Sequence, residues 1–297
     1  MNEILWSERA KAQALYPVEV CAFNFEMNHG HMLLRVTDPE LIHPFVGYFK
    51  QETAHALNRL LGRRRKTVWA EDYDSPTVLD ENKALDIFAY LLLHPVKDNL
   101  ADSMDDYPGV SSWALMKNKK YKRKCRAIAR DGIPRLKNPE RPCQEERQVL
   151  EYLKENNPKM LTFKLSPYSW KQCFEETRDL SDSELRKIIL ERIEERAQQY
   201  LRDKQERKLP KPRPEILKHQ SILKHYVPQT HGRRMICLSS LKQLRKRFIG
   251  LYRVLCDEAA EVLARWRRGE WHVPFPTGLF PPSLPRRSNI CPVTLWC

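Results

Sequence analysis

Apolar and polar residues interleave from Val18 to Glu26. Val18, Val20, Ala22 and Asn24 share one face, while Glu19, Cys21, Phe23 and Phe25 share the other. A period of two predicts a strand, and the apolar residues on each side predict burial on much of both faces. After a short turn at Met27-Asn28, residues His29 to Val36 predict a second strand, so the two form a hairpin. Ahead of the hairpin, residues 8–15 are helix formers that end at Pro17. Behind it, Asp38 is a candidate N-cap with Pro39 in the first turn. The helix that follows is expected to reach about Leu61, with Leu41, Phe45, Phe49, Ala56 and Leu60 apolar and Gly62 as its stop. Lys66 to Ala70 predicts a third strand. Asp80 caps another helix, expected to end near His94 because Pro95 follows.

Beyond Trp113 the texture changes. Lys117 to Arg126 is a basic run around Tyr121, followed by Pro134, Pro139 and Pro142. Helices are expected at about 143–156, 182–208 and 239–268, and the Pro-rich segment 274–287 is expected to be extended. The domain plan is therefore 1–115, an α+β unit; 116–142, a basic linker; and 143–297, a basic helical extension with a Pro-rich tail.

Charge sharpens that division. The chain holds 52 Lys+Arg and 38 Asp+Glu, a net charge of +14. Residues 1–112 hold 11 of the basic and 17 of the acidic residues, so the front is net −6 and the remainder net +20. A basic rear half is the footprint of a polyanion binder. The eight cysteines are scattered without a C-x-x-C pair, which argues against a zinc ribbon or a disulfide scaffold and suits reduced thiols in a cytosolic protein. No run of about 18 apolar residues is present and the first residues lack an apolar signal core, so neither a membrane span nor a secretory signal is expected. Nine glycines against 21 prolines argue against a Gly-rich nucleotide-binding fold.

Two local patterns carry chemistry. His29-Gly30-His31 puts two imidazoles at i and i+2 on one side of a strand, where both can reach one divalent cation. Surface strand histidines give the same pattern. The helix after Asp80 turns Ala84, Leu85, Phe88, Leu91 and Leu92 one way and Lys83, Asp86, Tyr90, His94 and Lys97 the other, with Tyr90 and His94 stacked one turn apart.

The order of these elements resembles a known family. Met27-Asn28-His29-Gly30-His31-Met32-Leu33-Leu34 resembles the M-x-N-H-x-H-L-L-L stretch of REP-associated tyrosine transposases, which are single-tyrosine HUH endonucleases. Val68-Trp69-Ala70-Glu71-Asp72-Tyr73 resembles their tryptophan-containing strand. Tyr90-Leu-Leu-Leu-His-Pro-Val-Lys97 resembles their Y-x-x-x-N-P-V-R/K helix end, and Asp105 to Trp113 resembles D-Y-P-W-S-S-Y. The resemblance covers residues 5–115. It implies a ferredoxin-like α+β fold whose antiparallel sheet carries the histidines and whose helix presents the tyrosine. It also implies cleavage of single-stranded, hairpin-associated DNA through a 5′-phosphotyrosyl intermediate. Tyr90 would be the nucleophile, and His29 and His31 would be ligands of a divalent metal, Mg²⁺ or Mn²⁺. His94 stands where the family has its amide ligand; it either completes the metal set or caps its helix. A three-imidazole set favours Mn²⁺ or a later metal over Mg²⁺.

Two further departures bear on activity. The family's first strand is apparently missing, which leaves the sheet an open edge or a place for another segment. Gly30 replaces a large apolar residue and is expected to cost core packing. Expected DNA contacts are Arg63, Arg64, Arg65 and Lys66, and Lys119, Lys120, Lys122, Arg123 and Lys124, with Tyr121 available to stack on a base. The reading is a transposase-like endonuclease and strand transferase, monomeric or homodimeric, cytoplasmic, and nucleoid-associated when bound to DNA. The alternative is a catalytically weak or truncated relative that acts by binding DNA; an unrelated RNA-binding protein is a third possibility.

Overall fold

β1 (Glu19–Phe25) and β2 (Gly30–Arg35) form the expected antiparallel hairpin, closed where Glu26 N donates to His29 O (2.8 Å). The structure, a computed structural model, describes residues 1–70, 73–219, 234–276 and 279. α1 (Asn2–Leu15) precedes the hairpin and α2 (Ile42–Leu60) follows it. Next come β3 (Thr77–Val78), α3 (Glu81–Lys97), β4 (Val110–Ser111), α4 (Trp113–Lys117) and β5 (Lys122–Arg126). The rear of the chain adds α5 (Glu146–Asn156), β6 (Met160–Lys164), α6 (Glu175–Arg178), α7 (Asp182–Glu206), α8 (Pro214–Lys218), β7 (Cys237–Leu238) and α9 (Lys242–Arg267). The class is α+β, with a three-stranded sheet in the order β2-β1-β4.

Alternation along β2 decides what each face of the sheet meets. His31 and Leu33 point toward α3, and Leu33 packs there with Leu85, Phe88, Leu92 and Val96. Met32 and Leu34 point the other way, into a second cluster with Phe23, Phe25, Phe45 and Phe49 beneath α1 and α2. Arg9 of α1 is fully buried in that second cluster. Its guanidinium lies 3.6 Å from the Phe23 ring centroid and 4.5 Å from that of Trp6, and burial lowers its pKa to about 9.

The far edge of β1 is occupied, not open. Asn24 and Phe25 pair with Ser111 and Val110, and Ser112 N donates to Phe23 O (3.0 Å). At the other end of the same edge Val20 bridges Leu165, and Ser166 N donates to Val20 O (2.8 Å). A segment from the rear half thus sits beside β1 and carries Phe163, fully buried, against Trp6 and Phe23.

Four local expectations need correction. The two faces of β1 do not follow one unbroken alternation, because the register shifts between Val20 and Ala22, so Val18 and Val20 join Phe23 and Phe25 in one cluster while Cys21 and Ala22 join the other. Lys66 to Ala70 is not a strand. Asn58 Nδ2 donates to Lys66 O (2.7 Å) and Trp69 Nε1 donates to Thr53 Oγ1 (2.8 Å), so the segment lies along α2, whose polar groups replace a ladder partner. α3 does not stop at His94 but runs through Pro95 to Lys97. Its stop is a Schellman motif: Asn99 adopts φ +56°, Asn99 N bonds Val96 O, and Leu100 N bonds Pro95 O. Burial of Leu92, Leu93 and Val96 offsets the hydrogen bond that Pro95 cannot donate. The stretch expected as a basic linker contains β5, paired residue for residue with β6, and Tyr121 Oη meets Tyr168 Oη at 2.8 Å, so this ring is engaged inside the protein.

The other predicted boundaries are met closely. Asp38 Oδ1 accepts from Glu40 N at a short 3₁₀ turn (Pro39–Leu41) that leads into α2, and Gly62 ends that helix at φ +62°. Asp80 Oδ1 accepts from Lys83 N (2.8 Å) as the N-cap of α3, and its Oδ2 accepts from Ser240 N (2.8 Å). By packing, the chain divides into Met1–Lys242 and Gln243–Cys297. In the second unit Trp266 Nε1 donates to Val273 O (2.8 Å) and meets Phe275 edge-on. The Pro-rich segment lies largely outside the described residues. Among the described residues no helix is long and apolar enough to cross a membrane.

α7 fixes α3 in place. Leu185, Ile189 and Ile193 join the α3 core, and Arg192 and Arg196 reach Asp86 Oδ1 at 2.6 and 3.0 Å. Burial raises the Asp86 pKa, but the two guanidiniums outweigh it and hold the carboxyl below its ordinary value. The stabilisation is therefore complete above about pH 4 and is lost as pH falls through the depressed folded-state value. Asp86→Asn is expected to cost about 1–2 kcal/mol at pH 7 by urea unfolding, and the difference from wild type should shrink below pH 3; a pH-independent difference would refute the pair's role.

Candidate active site

The turn from β1 to β2 and one face of α3 bring four aromatic side chains together. The His29 and His31 ring centroids are 5.0 Å apart, and each lies 4.8 Å from the His94 ring. Tyr90, one turn before His94, lies 4.8 Å from it and 5.9 Å from His31. Because α3 continues through Pro95, His94 is held inside a formed helix directly beneath Tyr90, rather than on a fraying end.

Hydrogen bonds set the imidazole tautomers. His29 Nδ1 donates to Asn28 Oδ1 (2.8 Å), which leaves a lone pair on His29 Nε2. That atom lies 2.7 Å from His94 Nε2, so a single proton, donated by His94, fits between them. His94 Nδ1 is buried with no hydrogen-bond partner, although the residue is only 2% exposed. Burial lowers the pKa of all three imidazoles, taking His31 to about 4 with further help from neighbouring His29. At neutral pH the cluster is therefore uncharged and rich in lone pairs, the state that a cation needs. The three ring nitrogens lie within 4.8 Å of one another. This donor set fits a borderline divalent ion, and the buried His94 Nδ1 is left without a partner of its own.

Two carboxylates and an ammonium frame the cluster. Glu26 Oε2 is 3.9 Å from His29 Nε2, and Asp98 Oδ2 is 3.5 Å from His94 Nε2. Burial, assisted by the negative charge of Asp98, raises the Glu26 pKa to about 7. Lys97 Nζ bonds Asp98 Oδ1 (2.9 Å) and stands 5.4 Å from the Tyr90 ring centroid. Burial raises the Tyr90 pKa, and Lys97 works against that rise.

The helix face read from the sequence thus has divided duties. Tyr90, His94 and Lys97 face the imidazoles, whereas Asp86 is taken by α7. Sequence reasoning missed Glu26 and Asp98. The available signal was spacing: Glu26 and His29 close a two-residue turn, and Asp98 is one helical turn after His94.

The proposed cationic segments lie elsewhere. The main charged side chains acting on the imidazoles include Asp98 and Lys97, both at the end of α3. Arg64, Arg65 and Lys66 are exposed just beyond α2, and Arg63 is half-buried. Lys119, Lys120, Lys122 and Lys124 are exposed, and Lys122 sits directly opposite Lys164 across the β5–β6 ladder. Arg123, its side chain 40% exposed, bonds Glu3 and stacks 4.4 Å from the Trp6 centroid.

Residues 2–92 match the family model described as transposase IS200 like. The front of the chain, about a third of its length, is thus similar to IS200-like transposases, the family that the motifs resemble. The matched segment includes His29, His31 and Tyr90 and stops two residues before His94. No curated protein and no solved structure matches the chain.

Gly30 can be tested directly. It faces Phe25 across the hairpin, and a Cβ there would overlap the Phe25 ring, itself 5% exposed. The space that a larger residue would occupy is therefore already filled from the neighbouring strand, and the packing loss expected from the sequence does not occur. Gly30→Val should destabilise the fold by about 1–3 kcal/mol through overpacking, measured by thermal or urea unfolding; a neutral or stabilising result would show that the gap is real.

Proposed function

We propose that the chain is a metal-dependent, single-tyrosine DNA endonuclease and strand transferase of the IS200-like type, acting on single-stranded DNA beside a hairpin. The observation that carries this reading is the convergence of Tyr90 on three neutral imidazoles, within a segment that matches the transposase family. The wider ferredoxin-like description of the sheet belongs to the same proposal.

His29, His31 and His94 would hold the ion through the ring nitrogens that face one another. A bound divalent ion would supply charge withdrawal from the scissile phosphate. Tyr90 Oη would attack phosphorus, forming a tyrosyl–phosphate ester as the bond to the 3′ oxygen breaks. The phenol proton is given up and the 3′ oxygen gains one, leaving a free 3′-OH and a 5′-phosphotyrosyl end. The ester conserves the bond energy, so a 3′-OH can reverse the step and join strands. Lys97, beside the Tyr90 ring, favours the phenolate against the opposing effect of burial. Asn28 keeps His29 in the tautomer whose Nε2 faces the cluster.

The test uses labelled single-stranded hairpin DNA from the chain's own locus, with Mn²⁺ or Mg²⁺, resolved on a denaturing gel. Wild-type protein should give a covalent protein–DNA band. Tyr90→Phe should give none while still binding DNA, and His29→Ala should reduce the band by at least tenfold. The burial that weakens Tyr90 as a nucleophile favours a second reading, a DNA-binding relative without catalysis. Binding without any covalent band in either metal would establish that reading instead.

The rear half would supply duplex grip. Lys122, Lys124 and Lys164 present unpaired ammonium groups on the β5–β6 ribbon among the described residues, and the Lys122–Lys164 cross-strand pair is unfavourable unless an anion lies over it. Changing all three to alanine should lower the salt dependence of duplex binding by roughly two to three in the slope of log K against log salt. An unchanged slope would remove the ribbon from the DNA surface.

A further inference from the structure

The metal site proposed above has a fourth donor on β1's side of the turn. We propose that Glu26 ligates the same ion as His29, His31 and His94, making the set three imidazoles and one carboxylate, with Asp98 as an outer carboxylate. This inference rests on the metal reading of the histidine cluster.

The Glu26 side chain is 3% exposed and faces the site, with Oε2 3.9 Å from His29 Nε2. Its other oxygen accepts from Asn24 Nδ2 (3.4 Å), and no Lys or Arg pairs with it among the described residues. A buried carboxylate without a cationic partner is costly, and a divalent ion at the imidazoles would remove that cost. The turn itself fixes the placement. Glu26 N bonds His29 O, so the carboxylate and the imidazole leave the same short loop side by side.

The number of ions follows from the available atoms. Glu26, His29, His94 and Asp98 offer ligand atoms within 4.8 Å of one another, as do His29, His31 and His94. The two groups share His29, whose Nδ1 is held by Asn28, so only Nε2 is free. One ion therefore serves both groups, with His31 on one side and Glu26 on the other. Asp98 is more exposed, at 33% for its side chain, and spends Oδ1 on Lys97, which suits an outer position. An added carboxylate hardens a three-imidazole set and shifts its preference toward Mn²⁺ or Fe²⁺ relative to softer ions.

The full-length protein is titrated with Co²⁺, followed by visible absorption, and with Mn²⁺ by calorimetry. Wild type should bind one ion per chain. Glu26→Gln should weaken binding at least tenfold and change the Co²⁺ band shape, because the coordination sphere itself changes. Asp98→Asn should weaken binding by a smaller factor with the band shape kept. Glu26→Asp retains the charge and guards against misfolding of the glutamine variant; it should also alter the band shape, since the shorter side chain moves the donor oxygen. Wild-type affinity and spectrum in either Glu26 variant would overturn the assignment while leaving the three-histidine site standing. A wild-type protein that binds neither ion would overturn the metal reading itself.

Discussion

The seating of α3 against β2 is the contact on which the site depends. Imidazoles alternate out of a strand with a period of two, whereas Tyr90 and His94 stack along a helix with a period of 3.6. The two sets meet only if α3 lies at one rotation and one height over the sheet. Leu33 against Leu85, Phe88, Leu92 and Val96 sets the height from below, and α7 sets the rotation from the other side through Leu185, Ile189 and the Asp86–Arg192–Arg196 contacts. Asp80 anchors the start of the helix to Ser240 and Asn99 closes its end. Among the described residues, the long rear segment therefore acts on the site through the helix that carries Tyr90, without contributing an imidazole.

The same rear segment also covers part of the hairpin's edge. β1 is nearly fully buried, and an exposed strand of that composition would invite pairing with another chain. Val110–Ser111 and Leu165–Ser166 divide its free edge between them, one at each end. Phe163 then closes the core over Trp6, Phe23 and the buried Arg9. Gly30 is a second local deficit resolved by a neighbour, because the Phe25 ring covers the position where its side chain would be. Both positions are thus packed by neighbouring segments. The question of activity then rests on the chemistry of Tyr90 rather than on the frame.

Much of the frame was legible because its signals are local. Period-two alternation marked β1 and β2, and Asp38, Gly62 and Asp80 marked helix boundaries through their own backbone and side-chain preferences. The errors arose where tertiary contacts overrode local signals. Pro95 should have ended α3, yet Val96 and Leu93 had more to gain by staying buried, and Asn99 supplied a later stop. Val68-Trp69 looked like a strand, yet Thr53 offered the indole a hydrogen-bond acceptor on α2. Within the cationic run at β5, Arg123 bonds Glu3 and stacks on Trp6 while its side chain stays 40% exposed, and the phenol of Tyr121 bonds Tyr168. A charge run read as a string cannot separate the two faces of a strand until the strand is known.

The site follows the same division. The histidines and the tyrosine were legible because each pair has a characteristic spacing, two on a strand and four on a helix. Glu26 and Asp98 were not, because their significance depends on where the imidazoles point. Electrostatics make the distinction physical. Burial is the largest effect keeping His29, His31 and His94 neutral, and it also raises the pKa of Tyr90, which weakens it as a nucleophile. Lys97 is the one cation that acts on the phenol and on all three imidazoles, while Asp98 opposes it at each. Their ion pair holds both charges at the end of α3, so the two opposing effects reach the phenol and the imidazoles from one place.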